Sequence, residues 1–149
     1  MSATSTNSLL LVSRLLLSGM FVMSGFQKLV DPSGTAGMIT GAGLPAATLL
    51  AYAAGVFELV AGLAVLTGFQ TRIAALLLAG FSLFTGLVFH SGAIAIPGFP
   101  DAANGLLSLF NSLMMMKNIT IAGGFLALAA FGAGAYSIDA RRGSVAIAA

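Results

Sequence analysis

Few residues in this sequence could do chemistry, and the most demanding of them is Glu58. It sits near the middle of the apolar run ATLLAYAAGVFELVAGLAVLTG. A carboxylate at the centre of a membrane-length helix costs about 2.5–3.5 kcal/mol on insertion scales, so it needs a partner or a task. The nearest expected partner is Arg14. With the helices laid antiparallel, its depth differs from that of Glu58 by about one helical turn, ~5 Å. An Arg14–Glu58 buried polar pair is therefore expected, with Lys117 as the rival cation. Glu58 reads either as a structural ion-pair member or as a functional carboxylate.

A second set is Lys28, His90, Lys117 and Asn118, expected to gather at the opposite mouth of the helices. Two cations, an imidazole and a carboxamide suit a small anion or the carbonyl oxygens of a quinone headgroup. Each also has a plainer reading. Lys28 beside Asp31 is a snorkelling lysine, and His90 is an interfacial histidine at a helix end. Lys117-Asn118 follows the apolar Leu113–Met116, so it is harder to explain as an edge. No catalytic residue can be named.

The elements that must position these groups follow from composition. Hydrophobic residues make up 58% of the 149, and charged residues 7%, against about a quarter in soluble domains. Such a chain cannot cover a core with polar surface; lipid is the solvent that suits it. The net charge of +2 rests on few residues and gives nucleic-acid binding no support. There are no cysteines, which excludes thiolate catalysis, disulfides and cysteine-ligated clusters within the chain. One histidine excludes a bis-imidazole haem, and no metal site is expected. Met114–Met116 is adjacent sulfur on different helix faces, read as apolar filler.

Four spans stand out, at about 9–26, 46–68, 73–90 and 110–133, forming one membrane domain over 1–149. Their length fits helices, since about 20 residues at ~1.5 Å each cross the hydrocarbon. The expected fold is an all-α membrane protein, an antiparallel four-helix bundle. The polar Met1–Asn7 lacks a positive n-region, so the first span is expected to be retained. Pro32 is placed at the first position of a short interfacial helix. Gly68 suits a helix C-terminus and Thr71 an N-cap, giving a tight hairpin between spans two and three. The loop SGAIAIPGFPDAANG is expected to be irregular. Arg72 and Arg141-Arg142 place both termini on the cytoplasmic side.

Helical spacing groups the polar groups with small residues, which let membrane helices approach closely. The stripes are Arg14, Ser18, Phe21, Gly25 and Lys28; Ala51, Gly55, Glu58 and Gly62; Ala75, Ala79, Ser82, Gly86 and His90; and Lys117, Thr120, Gly124 and Ala127.

RLLLSGMFVMSGFQKLVDP, GVFELVAGLAVLTGFQTR and KNITIAGGFLALAAFGAGAYSID, in this order and spacing, resemble the DoxX-like family of small bacterial integral membrane proteins. The likeness runs from Arg14 to Asp139. By it, Arg14, Lys28, Glu58, Arg72, Lys117, Asn118 and Asp139 fall where the family has the same residue types. Aromatics often precede the Lys-Asn pair in the family, whereas this chain has Met115 and Met116. The resemblance implies a multi-pass protein of the bacterial inner membrane, with some relatives tied to quinone-linked redox systems.

Three function classes follow. The leading one is an integral-membrane accessory subunit of a redox assembly with a quinone or lipid headgroup site, receiving electrons from partner subunits. The others are a quinone-reducing oxidoreductase subunit and a small-solute transporter or channel completed by homo-oligomerisation. No cofactor is expected to be bound by this chain alone beyond a quinone.

Overall fold

Gly68 decides how the chain doubles back. Its φ of +73° lies in the left-handed region that glycine adopts without a Cβ penalty. A Cβ there would also run into the Ser137 side chain and sit 2.9 Å from the Arg14 guanidinium. The hairpin therefore closes in three residues, between α3 (Ala47–Thr67) and α4 (Thr71–His90).

The structure, a computed structural model, describes residues 2–143. Around the hairpin lie α1 (Ala3–Val30), α2 (Ser33–Gly41), α5 (Asp101–Phe131) and α6 (Ile138–Arg141). Helices α1, α3, α4 and α5 are long and apolar enough to cross a membrane. Their outward faces carry large apolar side chains, with Leu16 75% and Leu49 69% exposed, as lipid-facing surface requires. The fold is the expected all-α bundle of four antiparallel spanning helices.

The bundle is built as two pairs. Helix α1 packs along α3 and α4 along α5; α3 touches α4 less, and α1 touches α5 least. The α1–α3 crossing depends on glycine, because a Cβ on Gly25 would lie 2.6 Å from the Leu59 nitrogen and 2.7 Å from the Gly55 oxygen. Between the pairs sits a small core of Phe21, Val65, Leu78, Ala122 and Phe125.

Three of the four expected stripes are buried, apart from their terminal Lys28 and His90, which are half-exposed. The fourth is displaced. Helix α5 buries Asn118, Ala122, Phe125 and Ala129, while Lys117, Thr120 and Ala127 are exposed. A run this rich in Gly and Ala offers several small-residue faces, and the packing of Phe125 selects among them. Asn118 Cβ lies only 2.9 Å from where a Cβ on Gly86 would stand.

Two helices outrun their expected spans. Helix α1 has 28 residues and α5 has 31, about 46 Å at 1.5 Å per residue against a ~30 Å hydrocarbon core. The segment DAANG is the first turn of α5, so only Ser91–Pro100 is irregular. That loop runs back along α5, with Ile94 N donating to Ser108 Oγ (2.9 Å) and Ile96 N to Asn104 Oδ1 (2.9 Å). These side chains stand in for the missing ladder of the loop backbone. The short helix after α1 forms, starting at Ser33 with Pro32 one place before it.

Candidate functional site

The expected Arg14–Glu58 pair does not form. Arg14 is 1% exposed and spends its guanidinium on four backbone carbonyls. Nε donates to Val65 O (2.9 Å) and Nη2 to Leu66 O (2.7 Å), while Nη1 donates to Ala133 O (3.0 Å) and Tyr136 O (2.7 Å). Val65 and Leu66 belong to the last turn of α3, whose carbonyls carry the negative end of the helix dipole; Val65 O also accepts from the capping Gly68 N (3.1 Å). Ala133 and Tyr136 follow the end of α5. Arg14 thus lies level with residues seven to eight positions past Glu58, about 10 Å along the axis rather than one turn. A planar fork of five donors fits these chain-end carbonyls, which are nearer than the carboxylate.

The partner of Glu58 is Lys28. Lys28 Nζ lies 2.8 Å from Glu58 Oε2, with the two side chains 18% and 6% exposed. Lys28 starts level with Gly55, where a Cβ would touch Lys28 Cβ at 3.0 Å. Its chain then bends back along α1, where Nζ also donates to Ser24 Oγ. Four methylenes let it reach mid-membrane from near a helix end. Lys117 is exposed and makes no ion pair among the described residues.

Above this ion pair, between the two helix pairs, lies a cavity of about 800 Å³. It occupies the half of the bundle away from Arg14. Two aromatic pairs bound that half: Phe21–Phe125 across α1 and α5 (centroids 5.3 Å apart) and Phe57–Phe81 across α3 and α4 (5.0 Å). Helix α2 covers it with Thr35, Met38 and Ile39. Lys28, Glu58, His90, Lys117 and Asn118 all line it, so the four residues expected at one mouth are brought together, with Glu58 added. Lys117 lies well inside a helix, sixteen residues into α5.

Two polar groups in the cavity are oriented for a ligand. His90 Nδ1 is 2.8 Å from Asn111 Oδ1, and Asn111 Nδ2 donates to Gly92 O (2.8 Å). The Asn111 oxygen is thereby an acceptor, so Nδ1 carries a proton, and whenever the ring is neutral Nε2 is the nitrogen with the lone pair. Asn118 is 8% exposed, lines the cavity, and its carboxamide hydrogen-bonds no described residue. Its amide is open to the cavity, so a ligand group placed against it can pair with it.

One functional side chain was not assigned a role by the sequence reading. Asp139 in α6 accepts hydrogen bonds from Gln70 N (2.8 Å) and Thr71 N (2.9 Å), capping α4 from 68 residues away. Thr71 is not the N-cap: it is the first helical residue, and its buried Oγ1 has no partner among the described residues. Gln70 holds the cap position at φ +48°. At the other end of the bundle, the Ser33 hydroxyl and its N–H (2.9 Å to Oδ1) hold the exposed Asp31 carboxyl below the usual carboxylate range.

Comparison with known proteins places this geometry. The DoxX family model matches residues 9–91. The sequence is 43% identical over 129 residues to the inner membrane protein YqjF of Escherichia coli (strain K12), covering 87% of this chain and 88% of that protein. It is 33% identical over 133 residues to the inner membrane protein YphA of the same organism, covering 89% of each. No solved structure matches.

Proposed function

The chain belongs to the DoxX family, and from that premise we propose that it is an integral-membrane accessory subunit of a redox assembly. Its site holds a quinone or lipid headgroup in the cavity lined by Lys28, His90, Lys117 and Asn118. The observation that carries the reading is Asn118: a residue 8% exposed, whose carboxamide hydrogen-bonds no described residue and lines a mostly apolar cavity of about 800 Å³. That volume falls within the range of small-molecule sites, which combine apolar walls with a few placed polar groups. A carbonyl oxygen fits the donors present, the Asn118 amide and the Lys28 ammonium; a hydroxyl fits the His90 Nε2 acceptor. A quinone, when bound, supplies two-electron, two-proton carriage between partners.

Glu58 is the polar keystone here rather than a reacting group, because Lys28 neutralises it. Both relatives are inner membrane proteins by name, and we place this chain in a bacterial inner membrane. Arg14, Arg72 and Arg141 belong to the end of the bundle that holds both described termini, which supports cytoplasmic termini by the positive-inside rule.

The test is extraction. Protein purified in mild detergent should release a lipid quinone on solvent extraction, and Asn118→Leu should lower that yield about tenfold for one lost hydrogen bond. Recovery of phospholipid alone, with the same Asn118 dependence, assigns the site to a lipid headgroup. Recovery of neither, and of no partner protein, counts against the reading.

The place of His90 on the cavity wall, its ring held through Nδ1 by Asn111, favours a second reading, the quinone-reducing subunit of an oxidoreductase, with Nε2 taking up a proton from solvent and passing it to the reduced quinone. Under it, His90→Gln in the assembled complex lowers the reduction rate by more than it lowers ligand affinity.

A further inference from the structure

The cavity residues that are also exposed fall into three groups, at the α3–α4 seam, at the α1–α5 seam and at the α2 roof (Met38 48%, Leu44 37%). A residue that lines it and is also exposed on the outer face marks an opening. On the α3–α4 seam those residues are Leu50 (40% exposed), Ala53 and Phe84 (53%). All three are apolar and sit above the Phe57–Phe81 pair. On the α1–α5 seam they include Met23 (66%), Gln27 and Lys117, a mixed lip with an ammonium that makes no ion pair among the described residues. The headgroup side chains Ser24, Lys28 and Asn118 belong to the second seam's helices. Inside, Lys28 and Glu58 cancel, which leaves the Lys117 ammonium at the lip as the uncompensated charge among the side chains lining the cavity.

Resting on the headgroup site argued above, we propose that the ligand is a long-chain amphiphile with a carbonyl-bearing headgroup, which enters from the bilayer and leaves its chain in the α3–α4 seam. The apolar mouth opens among helices that face hydrocarbon, so a chain lying in it passes from one apolar surroundings to another without crossing water. The headgroup then reaches Asn118 and the Lys28 ammonium across the width of the bundle. Ala53 is the gate of this route, because a larger side chain there fills the seam between Leu50 and Phe57.

The chain has no tryptophan, so Phe89→Trp on the cavity wall provides a single reporter. In phosphatidylcholine vesicles it is titrated with a decyl-tailed benzoquinone and with the same ring lacking the tail. Saturable quenching by both is expected, the tailed probe binding at least about tenfold tighter through its buried methylenes. Adding Ala53→Phe should abolish that advantage while leaving the tailless affinity within about twofold; Met23→Phe should change neither. The tailless probe also reports that the fold is intact, and Ala53→Leu serves if Ala53→Phe fails to fold. A tail advantage lost on Met23→Phe, or retained on Ala53→Phe, overturns the route and leaves the site standing. No saturable quenching by either probe overturns the site and the route together.

Discussion

Lys28 Nζ and Glu58 Oε2, 2.8 Å apart, tie α1 to α3 at the floor of the cavity. Breaking a buried pair by removing one member leaves an uncompensated charge and costs about 3–5 kcal/mol. Lys28→Met alone should therefore lower thermal stability in detergent sharply. Lys28→Met with Glu58→Met should recover most of the loss. Arg14→Leu, by contrast, should add to Glu58→Gln without coupling, because the two residues share no contact. A double-mutant cycle showing coupling between Arg14 and Glu58 would falsify this assignment.

The carbonyl cage of Arg14 calls for a planar fork. Arg14→Lys keeps the charge, but its ammonium has three donors in one cluster and cannot serve four carbonyls on two chain segments. With charged hydrogen bonds contributing about 1.5–3 kcal/mol each, the lysine variant should be destabilised nearly as much as Arg14→Leu. Membrane yield and melting temperature compare the two; near-wild-type behaviour of the lysine variant would show that charge alone suffices.

Asp139 caps α4 through Gln70 and Thr71. Asp139→Ala should cost about 1 kcal/mol, as N-cap removals do, and should speed amide exchange at Gln70 and Thr71 more than at Leu78. Gln70→Gly, which relieves a left-handed non-glycine residue at a cost of about 1–2 kcal/mol, should recover part of it.

Glycines in this chain differ in what they permit. Gly25→Ala places a methyl against the Leu59 nitrogen and Gly55 oxygen and should separate α1 from α3, loosening the Lys28–Glu58 pair. Gly80→Ala, with nothing within 4 Å of the new Cβ, should be neutral or slightly stabilising in its helix. Melting temperatures of the two variants, read side by side, test the packing.

The pH response of α2 follows from Asp31. Its carboxyl is held low by the Ser33 hydroxyl and N–H, so the folded form binds its proton less readily than the unfolded one. The stabilisation is present above the ordinary carboxylate pKa and is lost as pH falls through the lowered one. Amide exchange at Ser33, corrected for its intrinsic pH dependence, should accelerate on that acid limb, and Asp31→Asn should flatten the response.

What the sequence determined by itself is local and periodic. The four spans, the hairpin at Gly68, and the buried faces of α1, α3 and α4 follow from hydrophobic length and from small residues three and four apart, which any one helix displays without reference to another. That Lys28, His90, Lys117 and Asn118 share one region was also legible, because all fall in the same half of antiparallel helices. Only the tertiary structure decided pairing. Which cation meets Glu58 depends on relative helix depth to within a turn, and an error of one turn exchanged Lys28 for Arg14. Which face of α5 turns inward depends on where Phe125 fits against Phe21, in a run where Gly and Ala leave several faces open. That Asp139 caps α4 depends on closing a loop of 68 residues. Composition and spacing set which groups must find partners; the fit of one helix on another chose the partners.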